Sequence, residues 1–128
     1  MAASKKVIEM TQIAAFAASD KKATDMVAID LSEQMVLSEV FLIVTGHNIP
    51  QVSAIADEVE KKLREAGEKP LRREGGEEWI LIDYSDLVVH VQSANLRGYY
   101  MLDRLWNDCP KIELDAVKAE EAHGKLNG

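Results

Sequence analysis

Two aspartates and a histidine stand close together in the run EEWILIDYSDLVVHV, residues 77–91: Asp83, Asp86 and His90. Paired carboxylates can hold Mg²⁺ for phosphoryl or nucleotidyl transfer, and an imidazole beside them can move protons. Strand parity argues against that chemistry. Side chains alternate between faces, so on a continuous strand Asp83 and Asp86, three apart, face opposite sides. No acidic pair at i, i+2 spacing falls on any strand expected here. His47, His90 and His123 are not at metal-ligand spacing, and the single Cys109 cannot complete a zinc site. No serine occupies a G-x-S-x-G elbow, and Cys109 precedes Pro110 with no evident activating partner. The expectation is therefore no catalytic residue, no metal and no cofactor. Asp83 and Asp86 suit a turn, where a short carboxylate accepts backbone amides. A lone strand histidine suits a hydrogen-bonded structural place.

The elements that carry these residues read as a hairpin, with strands at 79–84 and 87–92. Ile80, Ile82, Leu87, Val89 and Val91 share one face, which is uniformly apolar and must be core. Trp79, Leu81, Asp83, Val88, His90 and Gln92 share the other. Two tight registers, Asp83 opposite Asp86 or Tyr84 opposite Leu87, give the same partition. A tryptophan among apolar and mixed polar groups has the composition of an interface centre. A helix of the same chain would cover such a face equally well. The candidate partner interface is Trp79, Leu81, Asp83, Asp86, Val88 and His90, with the two acids available to Lys or Arg of a partner.

Around the hairpin, residues 4–23 read as a helix capped by Ser4, with Val7, Met10, Ala14 and Ala17 at helical spacing. Residues 26–31 alternate as a half-buried strand. Residues 39–46, EVFLIVTG, form a continuous β-branched and aromatic run, which suits a central strand buried on both faces. Asn48 and Gln51 have capping-box spacing before the stripe Val52, Ile55, Ala56, Val59, Leu63, and Gly67 suits the helix end. The turn TGHN ahead of that helix is read as an ordinary strand-to-helix turn, since one glycine without Lys or Ser/Thr at P-loop spacing makes a poor phosphate cradle. Leu71 and its neighbours suit a short edge strand, and Gly75-Gly76 a turn. A last helix is expected from Ala94 to Asn107. The order is α-β-β-α-(β)-β-β-α, one α/β or α+β domain with a mixed sheet over residues 1–110, followed by an acidic, flexible tail over 111–128.

Composition limits the partners. The 128 residues suffice for one domain with a real core. The net charge is -7, with 22 acids against 15 bases, so direct nucleic-acid binding is disfavoured as the main activity and a basic protein partner is favoured. No apolar run approaches a membrane span and no secretory signal is read. The single cysteine fits a reducing cytoplasm.

Three stretches, VTGHNIPQVSAIADEVEKKL, RREGGEEWILIDYSDLVVHV and RGYYMLDRLW, resemble in order and spacing the ribosomal silencing factor family (RsfS, YbeB or Iojap-like) over roughly residues 5–110. The most specific matches are Glu74-Gly75, Trp79, the run from Asp83 to His90, and Arg97, Tyr100, Leu105 and Trp106. The ending DRLWNDCP is similar to actinobacterial members. The resemblance implies a fold similar to nucleotidyltransferases without their aspartate pair, and a role that is not enzymatic. It implies binding to the large ribosomal subunit through the ribosomal protein numbered fourteen, a block to subunit joining under nutrient limitation, a link to large-subunit biogenesis, and a homodimer when free. The alternative is a cryptic nucleotide-binding or nucleotidyltransferase-like enzyme. Departures from the family pattern are Glu39-Val40 in place of Asp-Tyr, Ser85-Asp86 in place of Gly-Asp, and a short loop from Gly75 to Trp79. If position 85 needs a positive φ, serine is strained there.

Overall fold

The computed structural model describes residues 3–33, 38–100, 104 and 107–119. The elements in chain order are α1 (Lys5–Asp20), β1 (Thr24–Asp30), β2 (Val40–Gly46), α2 (Ile49–Glu65), β3 (Arg72–Gly75), β4 (Trp79–Asp83), β5 (Leu87–Ser93), α3 (Ala94–Tyr100) and β6 (Lys111–Ile112).

The helix ends follow from the capping residues. Ser4 Oγ accepts the Val7 N–H at 3.4 Å, and the Glu39 carboxylate accepts the Ser4 N–H at 2.6 Å. The N-terminus of α1 is thus satisfied partly by the residue that departs from the family's aspartate. α1 stops at Asp20, short of the expected residue 23, because Lys22 turns to φ 66. Asn48 Oδ1 accepts the Gln51 N–H at 2.9 Å, and Gln51 reaches back to the His47 N–H, one residue earlier than a capping box requires. At the far end Gly67 has φ 91, its N–H returns to Arg64 O at 2.9 Å, and Glu68 N–H returns to Leu63 O at 2.8 Å. That pair of bonds is a Schellman motif, which needs the left-handed residue glycine supplies.

The strands lie in the order β3-β4-β5-β2-β1-β6 in one sheet. β2 and β5 are parallel, in register from Val40 opposite Leu87 to Gly46 opposite Ser93. The other neighbouring pairs are antiparallel. β2 is therefore interior, as its continuous apolar run suggests. α1 and α2 cover one sheet face. There Val7, Met10, Ala14 and the α2 stripe pack on Leu42, Val44, Ile80, Ile82, Leu87, Val89 and Val91. The face assigned to the core from hairpin parity is the face that meets the helices.

Residues 111–119 correct the tail. Lys111 and Ile112 pair with Ile29 and Ala28 of β1, closing the edge opposite β3. Leu114 and Ala116 are buried in the helix-side core, and residues 115–119 are helical. Gln12 fastens the segment, donating to Glu113 O and accepting from Asp115 N–H, each at 2.9 Å. The folded unit thus runs past residue 110. The described charges, Lys111, Glu113, Asp115 and Lys118, sit on its outer side, while Leu114 and Ala116 hold its inner side. Of the expected helix 94–107, residues 94–100 are seen as α3. Leu105 and Trp106 lie outside the described residues.

The β4–β5 turn takes the register with Tyr84 opposite Leu87, since Tyr84 N–H donates to Leu87 O at 2.8 Å and Asp83 pairs with Val88. Ser85 has φ 74, and Asp86 N–H returns to Tyr84 O at 3.0 Å, closing a three-residue γ-turn centred on Ser85. A positive-φ γ-turn is rare and strained for an L side chain. Ser85→Gly should therefore stabilise the protein by about 1 kcal/mol, the relief exceeding glycine's extra chain entropy. A higher urea midpoint at unchanged slope is the expected result; a lower midpoint would place the strain elsewhere.

Candidate interaction site

The second sheet face is built from alternate residues of five strands. Val27 and Ile29 stand on β1, Phe41, Ile43 and Thr45 on β2, Val88, His90 and Gln92 on β5, Trp79, Leu81 and Asp83 on β4, and Arg72 and Glu74 on β3. Cross-strand partners share a face, so these registers fix the set. Toward β1 the face is closed: Ile29, Leu31, Ile43 and Cys109 form a second buried cluster against Val27 and Phe41. Toward β4 it is half-buried, at Trp79, Leu81 and Asp83.

Four of the six proposed interface residues, Trp79, Leu81, Val88 and His90, come together here. Their exposures differ. Trp79 and Leu81 reach the surface, but Val88 is 7% and His90 5% exposed, so those two support the face from beneath. Asp83 lies on the same face at its charged margin. Its carboxylate accepts the Ser85 N–H at 2.8 Å, as a turn aspartate does, and pairs with Arg72 at 3.3 Å. Asp86 stands apart at the hairpin tip with its side chain exposed. Its carbonyl accepts N–H groups of Glu39 and Val40, which ties the tip to the start of β2. Phe41 was missed by the sequence reading. A run buried on both faces has no visible parity, and its register against β5 spans more than 40 residues of intervening chain.

His90 sits in an aromatic row across three strands. The Trp79 indole N–H donates to His90 Nδ1 at 3.2 Å. The His90 ring centroid lies 4.8 Å from that of Phe41 and 5.9 Å from that of Trp79, both tilted. Burial pushes the imidazole pKa down to about 4, so near neutral pH the ring is uncharged and carries its proton on Nε2. Among the described residues Nε2 has no hydrogen-bond partner, nor do the side-chain oxygen and nitrogen of Gln92, which is fully buried two residues along β5. Each unpaired buried polar group costs about 1–3 kcal/mol.

Three of the family-motif residues, Glu74, Gly75 and Arg97, hold the frame. Glu74 accepts from Arg72 at 3.1 Å. Gly75 forms the β3–β4 turn with φ 125. Arg97 donates to Asp25 O at 2.6 Å and to Thr45 Oγ1 at 2.8 Å, tying α3 to the bulged start of β1 and the end of β2. Tyr100 ends α3.

The two backbone amides at the turn into α2 are taken by Asn48 and Gln51 side chains, as in an ordinary strand-to-helix turn. The concavity between α2 and the β3–β4 turn includes Ile49, Ser53, Arg73 and Ile80, and Arg73 is paired with Asp57 at 2.8 Å and Glu60 at 3.2 Å. Those carboxylates raise the Arg73 pKa against the opposing effect of burial. Among the described residues no group of three or more His, Cys, Asp or Glu is arranged to hold a metal ion, and no helix is long and apolar enough to cross a membrane.

A six-stranded mixed sheet, helices on its core face and a mixed aromatic strip on the other define a single-domain α/β protein. Known structures share the architecture. A crystal structure of a Chromobacterium violaceum protein superposes with a TM-score of 0.76 at 34% identity, covering 85% of this chain and 92% of that one. One from Bacillus halodurans gives 0.72 at 42% identity, over 83% and 98%. The profile of the family described as "Ribosomal silencing factor during starvation" matches residues 4–127. The ribosomal silencing factor RsfS of Halalkalibacterium halodurans is 42% identical over 111 residues, 85% of this chain and 95% of the relative. That of Bacillus subtilis is 41% identical over 106 residues, 81% and 90%. The chloroplastic Iojap protein of Zea mays is 30% identical over 103 residues, 77% of this chain and 43% of that protein. This chain belongs to the ribosomal silencing factor family.

Proposed function

We propose that this protein docks on the large ribosomal subunit through the ribosomal protein numbered fourteen and blocks joining of the small subunit, lowering translation in the cytoplasm when nutrients are short. A steric block needs affinity and position and no chemistry. The observation that carries the reading is the half-buried strip of Trp79, Leu81 and Phe41 on the second sheet face. Exposed aromatic and aliphatic groups framed by charge are where binding energy concentrates. The net charge of -7 directs the protein toward a basic protein rather than toward rRNA, whose phosphates repel it. Asp86, exposed at the hairpin tip, is the acid most available to Lys or Arg of the partner, since Asp83 is engaged within the chain. The same strip suits two-fold self-association of the free protein, which then competes with ribosome binding.

Co-sedimentation with separated subunits tests the reading: the protein should pellet with the large subunit only, and its absence from both pellets would end it. Trp79→Ala should then weaken binding to the isolated ribosomal protein by about 30-fold or more, the scale of a hot-spot truncation. Unchanged affinity in a folded variant removes Trp79 from the contact.

A further inference from the structure

We infer that His90 is a positioning residue for Trp79: buried and out of any partner's reach, it fixes the indole in the orientation from which Trp79 docks. The inference rests on the docking reading for its purpose but not for its geometry. A buried imidazole needs a reason. His90 is 5% exposed, and among the described residues its Nε2–H has no partner and no carboxylate or metal-ligand cluster employs it. Nδ1 accepts the Trp79 indole N–H at 3.2 Å.

The registers explain why this bond spans strands. Leu81 lies opposite His90 and Gln92 opposite Trp79, so the indole reaches diagonally across the β4–β5 pair, a distance that large side chains bridge. The imidazole is itself wedged by Phe41 at 4.8 Å from the adjoining strand. Phe41, His90 and Trp79 thus form a row across β2, β5 and β4, rigid at its buried middle and accessible at both ends. An apolar residue at 90 would avoid the unpaired Nε2–H and would pack there, but it could not accept from the indole. What histidine adds is the acceptor. A tryptophan already held in its bound rotamer loses less freedom on docking, which strengthens the contact without adding to its area.

Two substitutions separate positioning from packing. His90→Phe keeps a ring of similar shape and removes the acceptor; His90→Asn places an amide oxygen near the position of Nδ1. In the full-length protein labelled with ¹⁵N, the Trp79 indole N–H resonance, assigned with Trp79→Phe, should move upfield in His90→Phe and return toward its original position in His90→Asn. Affinity for the isolated ribosomal protein should fall about tenfold in His90→Phe, at undiminished urea stability, and recover in His90→Asn. An unmoved indole resonance in His90→Phe overturns the positioning role, whatever the partner. A moved resonance with unchanged affinity, where Trp79→Ala does lose affinity, overturns the link between positioning and docking. If Trp79→Ala also binds normally, Trp79 is not part of the contact and the purpose of holding it is overturned, whereas absence of the parent protein from both ribosomal pellets would overturn the docking reading itself.

Discussion

Gly75→Ala should destabilise the protein by about 2–4 kcal/mol, whereas Gly76→Ala next to it should change stability by less than about 1 kcal/mol. The two glycines look alike in sequence and differ in what surrounds them. Gly75 has φ 125, a region that is essentially glycine's alone. A Cβ there would overlap the Trp79 carbonyl oxygen and come within 2.9 Å of Ile80 Cα, both backbone atoms of β4. Backbone cannot swing aside as a side chain can. Relief requires opening the pair between Gly75 and Ile80 and then the Gly76 N–H to Trp79 O bond of 3.1 Å. Gly76 has no positive φ, and a Cβ added to it meets nothing within 4 Å. Urea unfolding of the two variants checks this, and similar midpoints would show that the turn yields more easily than its geometry implies. The functional consequence is separate. Because Trp79 supplies the carbonyl that crowds position 75, Gly75→Ala should also displace the tryptophan and weaken docking beyond what lost stability explains. Arg73, paired with Asp57 and Glu60 of α2, limits the opening to the tip of the β3–β4 hairpin.

The hairpin was the most legible part of the sequence because period-two alternation survives without any knowledge of neighbours. Ile80, Ile82, Leu87, Val89 and Val91 could face only the core, and they do. α2 was legible for a similar local reason: Asn48, Pro50 and Gly67 mark its ends in chemistry confined to a few residues. The parallel pairing of β2 with β5 was not legible. It brings Ile43 beside His90 across the whole of α2, β3 and β4, and nothing local encodes that register. Phe41 was missed for this reason, and with it the ring that wedges His90. Asp83 illustrates a different limit. Its turn role was readable from residue type, but its ion pair with Arg72 depends on the β3–β4 register, which a short, wholly exposed strand specifies weakly. The parity argument placed Val88 and His90 on the correct face. Parity cannot say how deep a residue lies on that face, and depth is what separates Trp79, which can touch a partner, from His90, which cannot.

Depth also makes the stability of the protein depend on pH in a window set by one group. Burial lowers the His90 pKa from 6.5 to about 4 in the folded state. A base with a depressed folded pKa binds its proton first in the unfolded chain. Above pH 6.5 neither state is protonated at His90, and the group contributes no pH dependence. Between 6.5 and 4 the unfolded state gains a proton that the folded state refuses, so stability falls with falling pH, by about 1.4 kcal/mol per unit at most. The accumulated loss is about 3 kcal/mol at pH 4, and below that the slope from this group vanishes as the folded state also protonates. Asp30 acts in a different window. Burial opposes its ionisation, but bonds from the Ser32 hydroxyl and amide and from the Ala3 amide outweigh that and lower its pKa, so its contribution is lost only as pH falls below about 3.8. Urea midpoints measured from pH 7.5 to 4 should decline in the parent protein and run nearly flat in His90→Asn across the same range. A parallel decline in both would assign the acid sensitivity to other groups. Protonation of the folded state at Nδ1 would also remove the acceptor that holds Trp79, so loss of docking affinity from this group should set in only as pH approaches about 4, at the lower end of the window in which stability declines, and be absent from His90→Asn. Stability then reports the proton that the unfolded chain takes up between pH 6.5 and 4, and recognition the proton that the folded imidazole takes up only near pH 4, because the imidazole that the fold keeps dry is the one bonded to the Trp79 indole.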